Sequence, residues 1–124
     1  MKKQVNVTEL TKEELVTFFS CATYGCGYWT IKIKKNSISI NDLDTNQCIE
    51  DIWADALLKG GKLVVTDNED ESKYVVDMEK VLKGYSKCYE ISPQTMVNFE
   101  EEREDMWDGY NLMQVILFGD IIYG

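Results

Sequence analysis

The sequence predicts a small single-domain α+β fold, an antiparallel sheet packed with about four helices. Three observations carry that prediction. Segments whose apolar residues recur with helical spacing are interspersed with short runs of period two, and glycine or polar turns separate them. The chain has 124 residues, 44% hydrophobic and 28% charged, which suits one core and falls short of two. At that length folding buries roughly two-thirds of the surface exposed by the unfolded chain, so the fold needs neither disulfide nor metal. No internal repeat, low-complexity tract or linker breaks the chain, and one domain over residues 1–124 is expected.

The first helix is signalled by a capping box, Thr11 with Glu14, flanked by Leu10 and Leu15 at the staple positions. It should run over 12–23, with Leu15, Phe18, Phe19 and Ala22 on one face and Gly25 or Gly27 as its stop. Period two follows over 28–34, where Trp29, Ile31 and Ile33 face the core and Thr30, Lys32 and Lys34 face water. Ser37-Ile38-Ser39-Ile40 continues the alternation as a short return strand. A second helix over 48–59 places Ile49, Ile52, Trp53, Ala56 and Leu57 on one side and ends at Gly60-Gly61. The β-prone stretches 62–66 and 73–77 form a hairpin around the charged loop Asp67 to Ser72.

Asp77 can cap a third helix, 78–89, whose face is Met78, Val81, Leu82, Tyr85 and Tyr89, and Ser92-Pro93 breaks it. A last helix is expected over about 100–118, with Met106, Tyr110, Met113 and Leu117 buried and Gly119 as its stop. Glu100-Glu101-Glu102 would repel one another unless they occupy its first turn, where the helix dipole favours acids. Ile121-Ile122-Tyr123 is too apolar for a free tail and should pack back as an edge strand or plug. Trp29 and Trp53 are assigned to the core, while Trp107 fits either core or surface.

The charge is uneven. Thirteen basic and 22 acidic residues give a net charge of −9, distributed as +3 over 1–35, −6 over 36–92 and −6 over 93–124. Such a balance argues against direct binding to nucleic acid, whose phosphates are held by Lys and Arg. The chain contains no histidine, which removes Ser-His-Asp and Cys-His catalysis, a histidine base and every His-containing zinc site. Cys21, Cys26, Cys48 and Cys88 form no Cys-x-x-Cys pair and read as small reduced side chains in the interior. The acidic loop Asp67 to Ser72 lacks the glycine of a calcium-binding EF-hand. Gly25-Cys26-Gly27 follows a helix and precedes a strand, the reverse of a phosphate-cradling loop. Carboxylates crowded into exposed runs also lack the apolar pocket that separates the pKa values of a catalytic acid and base. We therefore expect no enzyme, no cofactor and no metal.

The start Met1-Lys2-Lys3 resembles a signal peptide, but Thr8, Glu9, Lys12, Glu13 and Glu14 occupy the place of its apolar region. Leu112 to Phe118 falls far short of the ~20 residues of a membrane span. A cytoplasmic protein without membrane contact is expected. Two acidic clusters then stand out: Asp67, Glu69, Asp70 and Glu71 on the hairpin, and Glu100, Glu101, Glu102, Glu104, Asp105 and Asp108 before the last helix. They read either as a solvated face or as a field that steers the chain to a basic partner. Trp107 and Tyr110, set within the second cluster, supply the apolar anchor that the second reading needs.

Four segments taken together resemble a known group. Tyr24-Gly25-Cys26-Gly27-Tyr28-Trp29, Lys59-Gly60-Gly61-Lys62-Leu63, Leu82-Lys83-Gly84 and Leu117-Phe118-Gly119-Asp120-Ile121-Ile122-Tyr123-Gly124 stand in the same order in an uncharacterised family of small acidic proteins. That family occurs in phages, prophages and mobile elements of Gram-positive bacteria. The chain departs from it at the first junction, where Thr23-Tyr24-Gly25 replaces an acidic residue and two glycines. The resemblance implies no chemistry, but it implies a setting, the cytoplasm of a bacterial host. By analogy it points to accessory proteins that block host nucleic-acid machinery, including anti-CRISPR and antirestriction proteins that mimic DNA phosphates. The leading expectation is an inhibitor docking both acidic clusters and Trp107 on the basic nucleic-acid groove of a host defence protein, Cas-type effectors among them. The alternatives are an accessory protein with another host target, bound through an apolar surface, and a histidine-free enzyme. A homodimer is compatible with all three.

Overall fold

Thr11 opens the first helix by the reciprocal bonding its sequence announces: its hydroxyl accepts from the Glu14 N–H at 3.1 Å, and the Glu14 carboxylate accepts from the Thr11 N–H at 3.0 Å. The computed structural model describes residues 5–24 and 27–123, so Gly25, Cys26, the first four residues and Gly124 lie outside the described residues. Within them the chain runs α1 (Lys12–Thr23), β1 (Trp29–Ile33), a 3-10 turn (Ile40–Asp42), α2 (Ile49–Leu58), β2 (Leu63–Asp67), β3 (Lys73–Val76), α3 (Met78–Ile91), α4 (Pro93–Glu100) and α5 (Met106–Phe118). This is an α+β fold with a three-stranded antiparallel sheet ordered β1-β2-β3.

The strands neighbour one another in chain order, with α2 inserted between β1 and β2 and a hairpin joining β2 to β3; the register pairs Trp29 with Asp67, Ile33 with Leu63, and Leu63 with Val76. Its alternation buries Trp29 and Ile31 on β1, Leu63 and Val65 on β2, and Val76 on β3. Helix α2 packs against α1 and the first two strands, while α5 lies between α1 and α3. Aromatic edges join these layers: Phe19 meets Trp53 at 5.6 Å and Phe18 meets Tyr85 at 5.9 Å, both edge to face. Trp29 and Trp53 are core residues.

Helix α5 is the centre of the molecule. Residues Asp108 to Leu117 are buried around its whole circumference except Asn111, instead of along the single stripe that its spacing suggests. Two glycines let its neighbours come close enough. A Cβ on Gly109 would stand 2.5 Å from the Cys21 carbonyl carbon of α1, and one on Gly84 of α3 would stand 2.7 Å from the Ile116 Cα of α5. Neither obstacle is a flexible side-chain tip, so neither can step aside.

Two expectations are corrected, and the open choice for the C-terminal segment is decided. The helix placed over about 100–118 is two helices, because Pro93 starts α4 at a position where proline's missing N–H is harmless, and Asp105 starts α5 anew. Glu101 and Glu102 form the turn between them, with Glu102 in the left-handed region at φ 56°. The return strand over Ser37 to Ile40 is a turn: Ser37 donates to the Lys34 carbonyl at 2.7 Å and accepts from the Lys62 N–H at 3.0 Å, leaving no ladder to join. The C-terminal segment is a plug without strand pairing. The buried Gln114 carbonyl accepts from the N–H groups of Ile122 at 2.9 Å and Tyr123 at 2.8 Å, which ties the tail to α5.

The glycine contacts yield a test against helix propensity. Alanine is intrinsically favoured over glycine in a helix by about 1 kcal/mol. Gly84→Ala and Gly109→Ala should nonetheless each lose about 3 kcal/mol or more in urea unfolding, because the clash outweighs propensity. A gain in stability for either would show that α5 can move away from its neighbours.

Candidate functional site

The two acidic runs meet different fates. On the hairpin, Asp67 is not a loop residue but the last residue of β2, 2% exposed. Its carboxylate accepts from the Glu69 N–H at 2.9 Å and from the Tyr123 hydroxyl at 2.7 Å. Asn68 steadies the same turn, donating to the Gly27 carbonyl at 2.8 Å and accepting from the Thr30 hydroxyl at 2.9 Å. Glu69, Asp70 and Glu71 stand out into solvent at its tip. Asp67 is therefore a structural carboxylate, and the surface cluster here is three acids.

In the second run Asp105 and Asp108 are a helix start. The Asp105 carboxylate accepts from the N–H groups of Trp107 at 3.0 Å and Asp108 at 3.1 Å, while the Asp108 carboxylate accepts from the Asp105 N–H at 3.1 Å and from the Asn98 amide. Asp108 is buried, and burial pushes its carboxyl above the usual range despite those donors. It cannot face a partner. Asp105 is exposed, although its carboxylate is committed to the cap.

Glu100, Glu101 and Glu102 are exposed, and Glu104 is half-buried. Arg103, the sole cation of residues 93–124, is paired with Glu101. Trp107 is 50% exposed and lies edge-on to Tyr110 at 5.9 Å, while Tyr110 is 6% exposed and stacks on Tyr28 at 4.5 Å. The indole is thus a half-open surface group on a rigid aromatic base, which resolves its double reading. Tyr110 belongs to the core.

The fold also assembles something the linear charge pattern hides. Glu100, Glu102 and Glu104 come together with Glu13 and Glu14 of α1 around a cleft of about 290 Å³. Its walls include Leu10, Tyr85, Tyr89, Met96 and Phe99, and no Lys or Arg is among the described residues lining it. Tyr89 donates its hydroxyl to the Glu100 carboxylate, a bond that together with burial pushes the phenol well above its ordinary range. One Glu104 carboxylate oxygen is withdrawn from solvent with no donor among the described residues. The acids of the hairpin tip do not line this cleft. Of the lining residues only Glu100, Glu102 and Glu104 belong to the acidic run that stands out in the sequence; α1 supplies its acids through the third dimension.

Two of the thiols are held away from the thiolate form. Burial pushes Cys21 up to about 11 and Cys88 up to about 12, with nearby carboxylates adding to both. Cys48 departs from the expectation of interior cysteines: it is exposed at the start of α2. Among the described residues no group of three Cys, Asp or Glu side chains is placed to hold a metal ion, and no helix is long and apolar enough to cross a membrane. No family model, no curated protein and no solved structure matches the chain.

The Asp67 bond can be read through pH. Tyr123 is pushed up to about 12, first by its hydrogen bond to the Asp67 carboxylate, because ionisation would set two anions together. The unfolded chain titrates near 10, roughly the ordinary tyrosine value. A folded value above the unfolded one means that the bond stabilises fully below that pH and is lost as pH rises through the folded value. The stability difference between wild type and Tyr123→Phe should therefore be largest at pH 8 and shrink steadily from roughly pH 10 to 12. A difference that stays constant over that window would place Tyr123 away from Asp67.

Proposed function

We propose that this protein acts without catalysis, as an inhibitor that docks on the basic nucleic-acid-binding surface of a host defence protein of the CRISPR or restriction type. The observation that carries the reading is the segment from Glu100 to Trp107: mostly exposed carboxylates whose one cation within the segment, Arg103, is already paired, ending in a half-exposed tryptophan on a rigid aromatic base. Carboxylates steer a basic partner over a long range, and the indole supplies an anchor that excludes water once contact is made. Glu69, Asp70 and Glu71 at the hairpin tip extend the same field. The resemblance to small acidic proteins of phages and mobile elements supplies the setting, a bacterial cytoplasm in which such a partner is the adversary.

The reading is tested by expressing the chain in a bacterium with an active restriction or CRISPR system and challenging it with a targeted plasmid. Transformation should rise, and purified effector should lose DNA binding when the protein is added at low salt. No rise in any such system overturns the proposal. The variant carrying Glu100→Gln, Glu101→Gln, Glu102→Gln and Glu104→Gln should slow association about tenfold while folding stability changes by about 1 kcal/mol or less, because glutamine keeps an acceptor for the Tyr89 hydroxyl. Binding that is insensitive to salt and survives this change would leave an apolar docking surface as the better account.

Trp107→Ala separates anchoring from folding. It should raise the dissociation rate by a factor corresponding to about 2 kcal/mol, the threshold of an interface hot spot. Its folding cost should be about 1 kcal/mol, the edge-on pair with Tyr110 being the main loss. A large fall in melting temperature with unchanged dissociation would assign Trp107 to packing alone.

A further inference from the structure

The cleft between α1, α3 and α4 has a composition that the acidic surface as a whole does not share. Leu10, Tyr85 and Met96 are buried apolar walls, and Tyr89 and Phe99 are half-buried aromatic ones. Five glutamates surround them with no base among the described lining residues. Two of these are held in place by the protein itself, Glu14 by Thr11 and Glu100 by the Tyr89 hydroxyl. Glu13 and Glu102 are exposed, and no described side chain hydrogen-bonds to either. One Glu104 carboxylate oxygen is buried with no donor among the described residues, and a nearby cation would offset the cost of that burial.

We propose that this cleft binds a compact organic cation, an ammonium group carried on an aromatic or alkyl body. Aromatic faces attract cations through their quadrupole, and the glutamates add charge complementarity; the apolar walls take the body of the ligand. An anion is repelled, and a hard metal ion requires oxygen ligands on several sides that Tyr85, Met96 and Phe99 do not offer. The volume of about 290 Å³ stands at the small end of ligand pockets, roughly 300–1,000 Å³, which selects a compact ligand over an extended peptide. The site does not depend on the protein-binding reading and can hold or fail separately from it.

Titration calorimetry at low salt with benzyltrimethylammonium chloride provides the test. Binding should be in the millimolar range or tighter, with tetramethylammonium and benzyl alcohol each at least about tenfold weaker, since one lacks the body and the other the charge. The double variant Glu13→Gln with Glu102→Gln leaves both the α1 cap and the Tyr89 bond intact and should weaken benzyltrimethylammonium about tenfold. Thr17→Trp, which fills the cleft from α1, should abolish binding while near-ultraviolet dichroism shows a retained fold. No binding at concentrations up to about 10 mM, equal binding of benzyl alcohol, or an unchanged affinity in the double glutamine variant would each overturn the proposal.

Discussion

Everything else in the structure depends on how closely α5 can be approached. A helix buried around nearly its whole circumference must have neighbours on all sides, and the glycines at 84 and 109 set two of those distances. Gly109 brings the α5 start onto the α1 backbone at Cys21 and Ala22, and Gly84 brings α3 onto Ile116. The aromatic seam from Tyr28 and Trp29 through Tyr110 follows the same helix. Because α1 and α3 are clamped on opposite contacts of one rod, the ends of these helices are fixed relative to one another. That is what makes a cleft between α1, α3 and α4 a lasting feature of the surface.

The start of α5 then sorts the acids by role. Asp105 and Asp108 satisfy helix N–H groups that would otherwise lack partners, and one of the two is buried in doing so. Glu101 to Glu104, beyond the end of α4 and its left-handed Glu102, are left to solvent and, with Glu100, to the cleft. One short run of like charge thus contributes a cap, a turn and a rim. Asp67 makes the same point on the hairpin, where a residue of an acidic loop is the terminal pair of β1 and β2 and the fastening for Tyr123.

What could be read from the chain follows from where the information is local. The Thr11 and Glu14 box, the period-two runs and the Asp77 cap are decided by neighbours within four residues, and α1, the three strands and the start of α3 lie where those signals put them. Proline at 93 carries two meanings, stop and start, and only the second explains α4. The Asp105 and Asp108 box uses aspartate where glutamate is the usual partner, so the break before α5 is faint in the sequence. The all-round burial of α5 has a sequence trace in its uninterrupted apolar stretch from 115 to 118, but the two glycine approaches are legible only when the partner backbones are in place. The cleft is in the same position: Glu13 and Glu14 are about ninety residues from the glutamates they join, and no periodicity links them.

The same geometry separates two kinds of electrostatics on one molecule. The exposed carboxylates of the hairpin tip and of Glu101 act through water, where ions screen them beyond ~8 Å at physiological ionic strength. Their influence is on the rate and direction of encounter. Glu104 is half-withdrawn beside aromatic walls, where the dielectric is lower and a charge acts on what touches it. Salt therefore has unequal leverage on the two regions, weakening a long-range approach much more than a contact inside the cleft. An exposed acidic surface and an acid-rimmed apolar cleft coexist in one short chain because α5 fixes the helices around the second while the first is left to solvent.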